Sequence, residues 1–352
     1  MSYVGSEGHF LTPSGSPRGY WANQLDPKYL VLGSLLTSSA TVTNIATANA
    51  IIKAPNGYSV FDPKQTIGTY YRAFPQYSVS DSYDYTGNSI YHGLQASLVE
   101  RPVHGLNFML NYTWAKSLDD AGTFRAGYDI PAIYSADGKF HKADTLDRSV
   151  STIDQAHHVV LTAVYDLPFG KGELGGKYAL TRALLANYKF SAIFQGYTGS
   201  PLAITGSNCG VNAANQTCIP LIASGFSGRA RINGSWGAGS TASGSGQPTY
   251  INAAAFTAVP STAAAPLFST TARTAPLDLF GPGNYDIDIS LRRSLSLELW
   301  NMHLLLQGDL YNVTNHTQFG GIGTTFGNST FGQVSAQSNA SRDAQLAAKI
   351  EF

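Results

Sequence analysis

The residues best equipped for chemistry lie in four short stretches. Asp119 and Asp120 in "SLDDAG" are adjacent carboxylates of the kind general acid–base work uses. No partner base accompanies them and no cleft is suggested, so the plainer role is a polar exit from a strand. His157 and His158 are neighbours in an apolar run; adjacent side chains of a strand point to opposite faces, so the two cannot share a metal ion. "PFGKGELGG" (168–176) has glycines and a lysine but not the spacing of a phosphate-binding loop, and reads as a turn. The cysteines are two, Cys209 and Cys218, in "CGVNAANQTC". They are too few for most structural zinc sites and form a candidate local disulfide of an oxidising compartment, with two free thiols as the alternative. No catalytic, cofactor-binding or metal-binding set emerges, so no enzyme and no cofactor are expected.

The bulk numbers point the same way. Charged residues make up 12% of the 352 residues, about half the ~25% of an ordinary soluble domain. Aromatic residues also reach 12%, there are 36 glycines, and the formal net charge is zero. Lys and Arg are scattered, which leaves no basic footprint for nucleic acid. Two classes fit: a secreted β-protein rich in Gly, Ser and Thr, or a membrane barrel whose outer wall is covered by lipid. No apolar run approaches the ~18 residues of a membrane helix; "YLVLGSLL" and "MHLLLQGDL" come nearest. The N-terminus "MSYVGSEGHF" lacks the basic and apolar regions of a signal peptide.

The elements that must carry these residues are strands. Strict alternation marks "LNFMLNYTW", with Leu106, Phe108, Leu110, Tyr112 and Trp114 against Asn107, Met109, Asn111 and Thr113. "NYKFSAIFQGYTG", "NYDIDISLRR" and "MHLLLQGDLYNV" alternate likewise, "SIYHGLQASLVE" more weakly, and "HHVVLTAVYDLP" is apolar on both faces. Most are near the ~9–11 residues that cross a bilayer at a tilt. About seven strands stand out, and "SYVGSEG" reads as the top of an eighth.

Connections alternate in length. Residues 117–156, 199–282 and 314–340 are long, whereas "RPVHG", "PFGKGELGG" with its continuation, and "RRSLSLE" are short. Short periplasmic turns with long extracellular loops are the habit of outer-membrane barrels, and a soluble sandwich does not account for that asymmetry. Tyr112, Trp114 and Tyr285 then fall near the outer strand ends, and Tyr165, Tyr188, Phe190, Trp300 and Phe352 near the inner ends, as two aromatic girdles. "GTTFGNSTFG" reads as flexible loop composition. The last strand, "RDAQLAAKIEF", places Leu346, Ala348, Ile350 and Phe352 on one face and ends on the aromatic residue. That strand resembles the assembly signal read by the bacterial barrel-insertion machinery.

"NQLDPKYLVLGSLL", "RAFPQYSVSDSYDYTGNSIYHGLQASLVER", "HGLNFMLNYTWAKSLDD", "VYDLPFGKG", "YINAAAFTAVP", "GPGNYDIDISLRRSL" and the terminal "AAKIEF" follow one another in an order that resembles the C-terminal barrel of Oar-like TonB-dependent receptors. The resemblance implies an all-β, antiparallel transmembrane barrel of ~22 strands, of which this chain would supply about seven or eight. It implies one partial-barrel domain over 1–352, with a strand stub and long extracellular loop in 1–87 and alternating strands, turns and loops in 88–352. The plug and the coupling box for a TonB-type energy transducer have no counterpart in the sequence. The chain is therefore expected to be a fragment of an outer-membrane receptor that lacks transport competence alone. Its expected partners are outer-membrane lipid, the barrel-assembly machinery, and a small-molecule or peptide ligand. Phe124, Arg125, Tyr128 and Tyr134 of the first long loop after residue 117 are the candidate ligand contacts. A non-transporting barrel that displays adhesive loops is the first alternative, and a soluble secreted β-sandwich the second.

Overall fold

The computed structural model describes residues 1–11, 27–53, 64–72, 75, 87–120, 148–169, 174, 178, 180, 184–206, 219–232, 249–258, 271–297 and 302–352. The alternating segments become eight long strands: β1 (Ser2–Leu11), β2 (Gly87–Val103), β3 (Leu106–Asp119), β4 (His157–Asp166), β5 (Tyr188–Tyr197), β6 (Asn284–Leu297), β7 (Met302–Tyr311) and β8 (Asp343–Glu351). Each pairs antiparallel with its neighbours in sequence, so one sheet runs from β1 to β8 without a crossover. The short strand Ser149–Val150 extends the sheet beside the end of β3. The expected stub at the N-terminus is a full ten-residue strand. Among the described residues β1 and β8 each pair on one side only, and the wall is left open between them.

Register sorts the side chains onto two faces. Leu161 lies opposite Leu110 and Phe194, and Tyr112 opposite Ala96 and Val159. Such directly opposed pairs are the unit of sheet stability, and a one-residue slip would carry every member to the wrong side. The ambiguous run before residue 167 is thereby resolved: Val159, Leu161, Ala163 and Tyr165 join the apolar face, and His158, Val160, Thr162 and Val164 the other. The apolar face is left bare, with Trp114 56%, Leu98 55% and Leu346 91% exposed. A sandwich would bury that face against a second sheet. Among the described residues the other sheets are two-stranded, with strands of four residues at most, so the soluble-sandwich alternative fails. A face this apolar is stable against hydrocarbon, which is how a barrel wall is solvated.

The two ends of the sheet differ. β2 turns into β3 through His104 and Gly105, both at positive φ (51° and 83°), the conformation of a two-residue type I′ hairpin. A Cβ on Gly105 would come 2.7 Å from the Asp166 carbonyl oxygen, which adds a packing reason for glycine there. All four long connections (12–86, 120–156, 198–283 and 312–342) leave from the opposite end.

Those connections are more structured than their composition suggests. In the first, α1 (Val42–Ile52) starts at a Thr41 cap, α2 (Ile67–Tyr70) starts at Thr66, and a kinked 3-10 segment runs over Pro27–Thr37. Leu32, Leu36, Ala40, Ile45, Ala48, Ile67 and Tyr70 close into one buried cluster. The apolar run "YLVLGSLL" thus supplies the core of a small loop unit. The third and fourth connections share a second core made by Ile204, Tyr250, Ile251, Phe256, Leu279, Phe331 and Val334. They are joined by the pairing of Thr205 with Thr325 and of Thr249 with Gln333. Tyr250 N–H donates to the Gly332 carbonyl at 2.7 Å, and Tyr250 Oη donates to the Phe280 carbonyl at 2.5 Å. "GTTFGNSTFG" is therefore not a flexible loop but part of this core, where Phe326 and Phe331 meet edge to face with centroids 5.3 Å apart. Burial pushes the Tyr250 phenol above its ordinary pKa.

Candidate functional site: the polar face and its loop-end cleft

The face opposite the apolar wall carries the polar side chains, and its charges are sorted along the strands. Toward the loop end stand Asp286 and Asp288 on β6, Asp309 on β7 and Asp343 on β8. Toward the turn end stand Lys189, Arg292 and Lys349, with Lys189 directly opposite Arg292. Lys189 has Asp166 at 3.2 Å and Lys349 has Glu351 at 2.9 Å.

The acidic end holds a cleft of about 470 Å³ lined by Gln195, Tyr197, Asp286, Asp288, Tyr311 and Asp343, with Asn312, Gln318 and Asn339 above them. Its amide groups are largely engaged with the protein itself. Asn312 donates its Nδ2 to the Ala340 carbonyl at 3.0 Å, Gln318 its Nε2 to the Tyr285 carbonyl at 3.2 Å, and Asn339 its Nδ2 to the His316 carbonyl at 2.8 Å. Asp288 Oδ1 accepts from the Asn312 N–H at 2.9 Å, and Asp343 Oδ1 from the Ala344 N–H at 2.8 Å. Among the described residues no donor reaches the buried Asp286 Oδ1 or the neighbouring Asn284 Oδ1. A second cleft, of about 630 Å³, lies at the turn end among Asp166, Lys189, Arg292, Ser294 and His303.

Between the two charged ends the polar face is partly apolar. Val99 lies opposite Met109 on β3, which lies opposite Thr162 and then Ile193; Val164 sits one row toward the turn end. Val99, Met109 and Ile193 are 58%, 43% and 51% exposed.

Asp119 and Asp120 are anchors of the loop end. Asp119 accepts from Arg273 Nη2 at 2.7 Å, and that guanidinium also reaches the Asp119 carbonyl and Ser149 Oγ. Thr274 adds hydrogen bonds to Ser149 Oγ and to the Val150 carbonyl. Asp120 accepts from the Asn88 N–H at 2.5 Å and from its Nδ2 at 3.2 Å. Asp154 accepts from the Ser117 N–H at 2.6 Å and faces Lys116 at 3.6 Å. His157 and His158 do part to opposite faces: Tyr112 Oη stands 2.7 Å from His157 Nδ1, while His158 lies edge-on to Tyr197.

Phe124, Arg125, Tyr128, Tyr134, Cys209, Cys218 and Trp300 lie outside the described residues. On β8, Leu346, Ala348 and Ile350 share the apolar face with Leu306, Gly308 and Leu304 of β7, and Phe352 follows at the chain end, fully exposed. Sequence reading missed Arg273 and the cleft. Arg273 sits in "TTARTAP" with no neighbouring acid to announce it, whereas Asp286 and Asp288, two residues apart in "DID" and so on one strand face, were a usable sign of clustered carboxylates.

No curated protein matches the chain. The family model described as outer membrane beta barrel domain matches residues 1–345. With one antiparallel sheet, a bare apolar face, turns at one end and long loops at the other, this chain belongs to the outer membrane beta-barrel family and resides in the bacterial outer membrane.

Proposed function

We propose that the chain is the wall and outer loops of a TonB-dependent receptor, a transporter whose lumen is filled by a plug. The observation that carries this reading is the apolar patch of Val99, Met109, Val164 and Ile193 on the polar face. A water-filled lumen is lined by polar groups, and an exposed apolar patch rimmed by polar residues marks a surface that packs against something. The open sheet supports it too, because an unpaired strand edge cannot stand in hydrocarbon and calls for further strands. In this reading the chain binds and passes its ligand unchanged, performs no catalysis, and meets the energy transducer only through the plug-bearing part of the receptor.

The test uses Met109→Cys in a Cys209→Ser/Cys218→Ser background. The thiol should react with a water-soluble maleimide in the 352-residue chain alone and be protected when the chain is produced together with its upstream coding region. Equal reactivity in both would remove the plugged-receptor reading. It would leave the loop-displaying barrel, which the folded core shared by the third and fourth connections favours.

A further inference from the structure

We infer that the loop-end cleft is a binding site for an organic cation, an ammonium or guanidinium group carried on a small molecule or peptide. Among the described residues its lining supplies carboxylates from two strands, Asp286 and Asp288 on β6 and Asp343 on β8, and no Lys, Arg or His. Asp309 lies one row further along the polar face, with both oxygens held by Gln307 Nε2 at 2.9 and 3.0 Å. Net negative charge in a recess with protein walls is felt more strongly than on open surface, because the field is less screened.

Much of the hydrogen-bonding capacity left over is acceptor capacity. The amide N–H groups of Asn312, Gln318 and Asn339 are directed to main-chain carbonyls. Asp286 Oδ1 stands in the wall with no donor among the described residues. A ligand that completes this set must bring N–H donors and positive charge. Tyr197 and Tyr311, both on the polar face, add two aromatic rings to the lining, and aromatic faces attract cations. A neutral sugar would offer donors but leave the charge unmet. A bare metal ion fits less well: among the described residues no three Asp, Glu, His or Cys side chains converge as metal ligands.

As a statement about cargo this rests on the receptor reading above; as a statement about binding it does not, and the test reads binding alone. The full chain, folded in detergent micelles, is titrated calorimetrically with argininamide and with citrullinamide, its uncharged near-isostere. Argininamide should bind about tenfold more tightly, the factor that ~1.4 kcal/mol of charge recognition gives. The Asp286→Asn/Asp288→Asn chain should lose that preference, Tyr311→Leu should weaken argininamide alone, and Asp166→Asn at the other end of the sheet should change nothing. Equal binding of the two probes identifies a neutral hydrogen-bonding site and overturns the inference. So does an absence of binding, or a preference that survives removal of both aspartates. The comparison of the two probes on the unaltered chain needs no variant to fold.

Discussion

Arg273 and Asp119 are 154 residues apart in sequence and meet at 2.7 Å, with only 3% and 9% of their side chains exposed. Arg273 belongs to the connection between β5 and β6, and Asp119 ends β3. The pair therefore ties the third long connection back across the ends of β4 and β5. Ser149 Oγ accepts from Arg273 Nε at 3.2 Å and from the Thr274 hydroxyl at 2.9 Å, so the guanidinium is held by Asp119 and Ser149 together. A buried charge pair is costly to half-remove, since the remaining ion has lost its compensation in a poorly polarisable surrounding.

Arg273→Met or Asp119→Leu alone should each destabilise the loop end by about 3–5 kcal/mol. The double replacement should recover a large part of that loss, because it leaves no orphaned charge. Limited proteolysis within residues 198–283 is the readout: fast cleavage in both single variants and slower cleavage in the double one. Single variants as resistant as the parent would show that the pair does not fasten the loop.

Leu161→Arg places a charge in the middle of the apolar face, between Leu110 and Phe194. At mid-membrane depth the cost is ~2–4 kcal/mol. Thr162→Arg, one residue on, points to the polar face and should cost far less. Denaturant unfolding from lipid vesicles compares the two. Equal losses would mean that the faces are assigned wrongly.

The strands were legible because their period of two is local and dictated by having two different solvents, one on each face. Even β4, apolar on both sides, fell into place once its neighbours fixed its register. The loop ends were not legible, since their order comes from contacts between distant segments. Arg273 needs Asp119, Tyr250 needs Gly332 and Phe280, and no periodicity in sequence records such pairings. The helix α1 is an intermediate case. Thr41 as its cap, followed by Val42, Ile45, Ala48 and Ile52, carries the helical spacing, but it is buried in a connection whose overall composition reads as loop. The acidic cleft was half visible: the alternation placed Asp286 and Asp288 on one face, yet only the fold brings Asp343 and Tyr311 beside them.

Tyr71 gives a test of the loop unit of 27–71. Burial first, then the neighbouring phenols of Tyr70 and Tyr29, pushes its pKa from the ordinary 10.0 to about 12. Its hydroxyl donates to Asn49 Oδ1 at 2.5 Å, a bond that the phenolate could not make. The folded unit therefore holds a proton that the unfolded chain releases above pH ~10. Its stability from this source is complete below that value and is lost as pH rises toward 12. Tyr71→Phe should flatten the fall in α1 helicity between these limits, as followed by circular dichroism. An unchanged profile would place the titration elsewhere.

Phe352 makes its prediction through what it lacks. The side chain is fully exposed beyond the end of β8, and among the described residues the β8 edge away from β7 carries no partner. Folded contacts within the chain thus give no reason for a large aromatic residue at that position. If its role is to be read during insertion, then removing it should separate two measurements that normally move together. Phe352→Ser should leave refolding into detergent unchanged, because no packing is lost. The same change should reduce the amount of protein recovered in the outer membrane of cells and raise the amount held in the periplasm. A variant that inserts as well as the parent in cells would show that the terminal aromatic residue is not what the insertion machinery recognises.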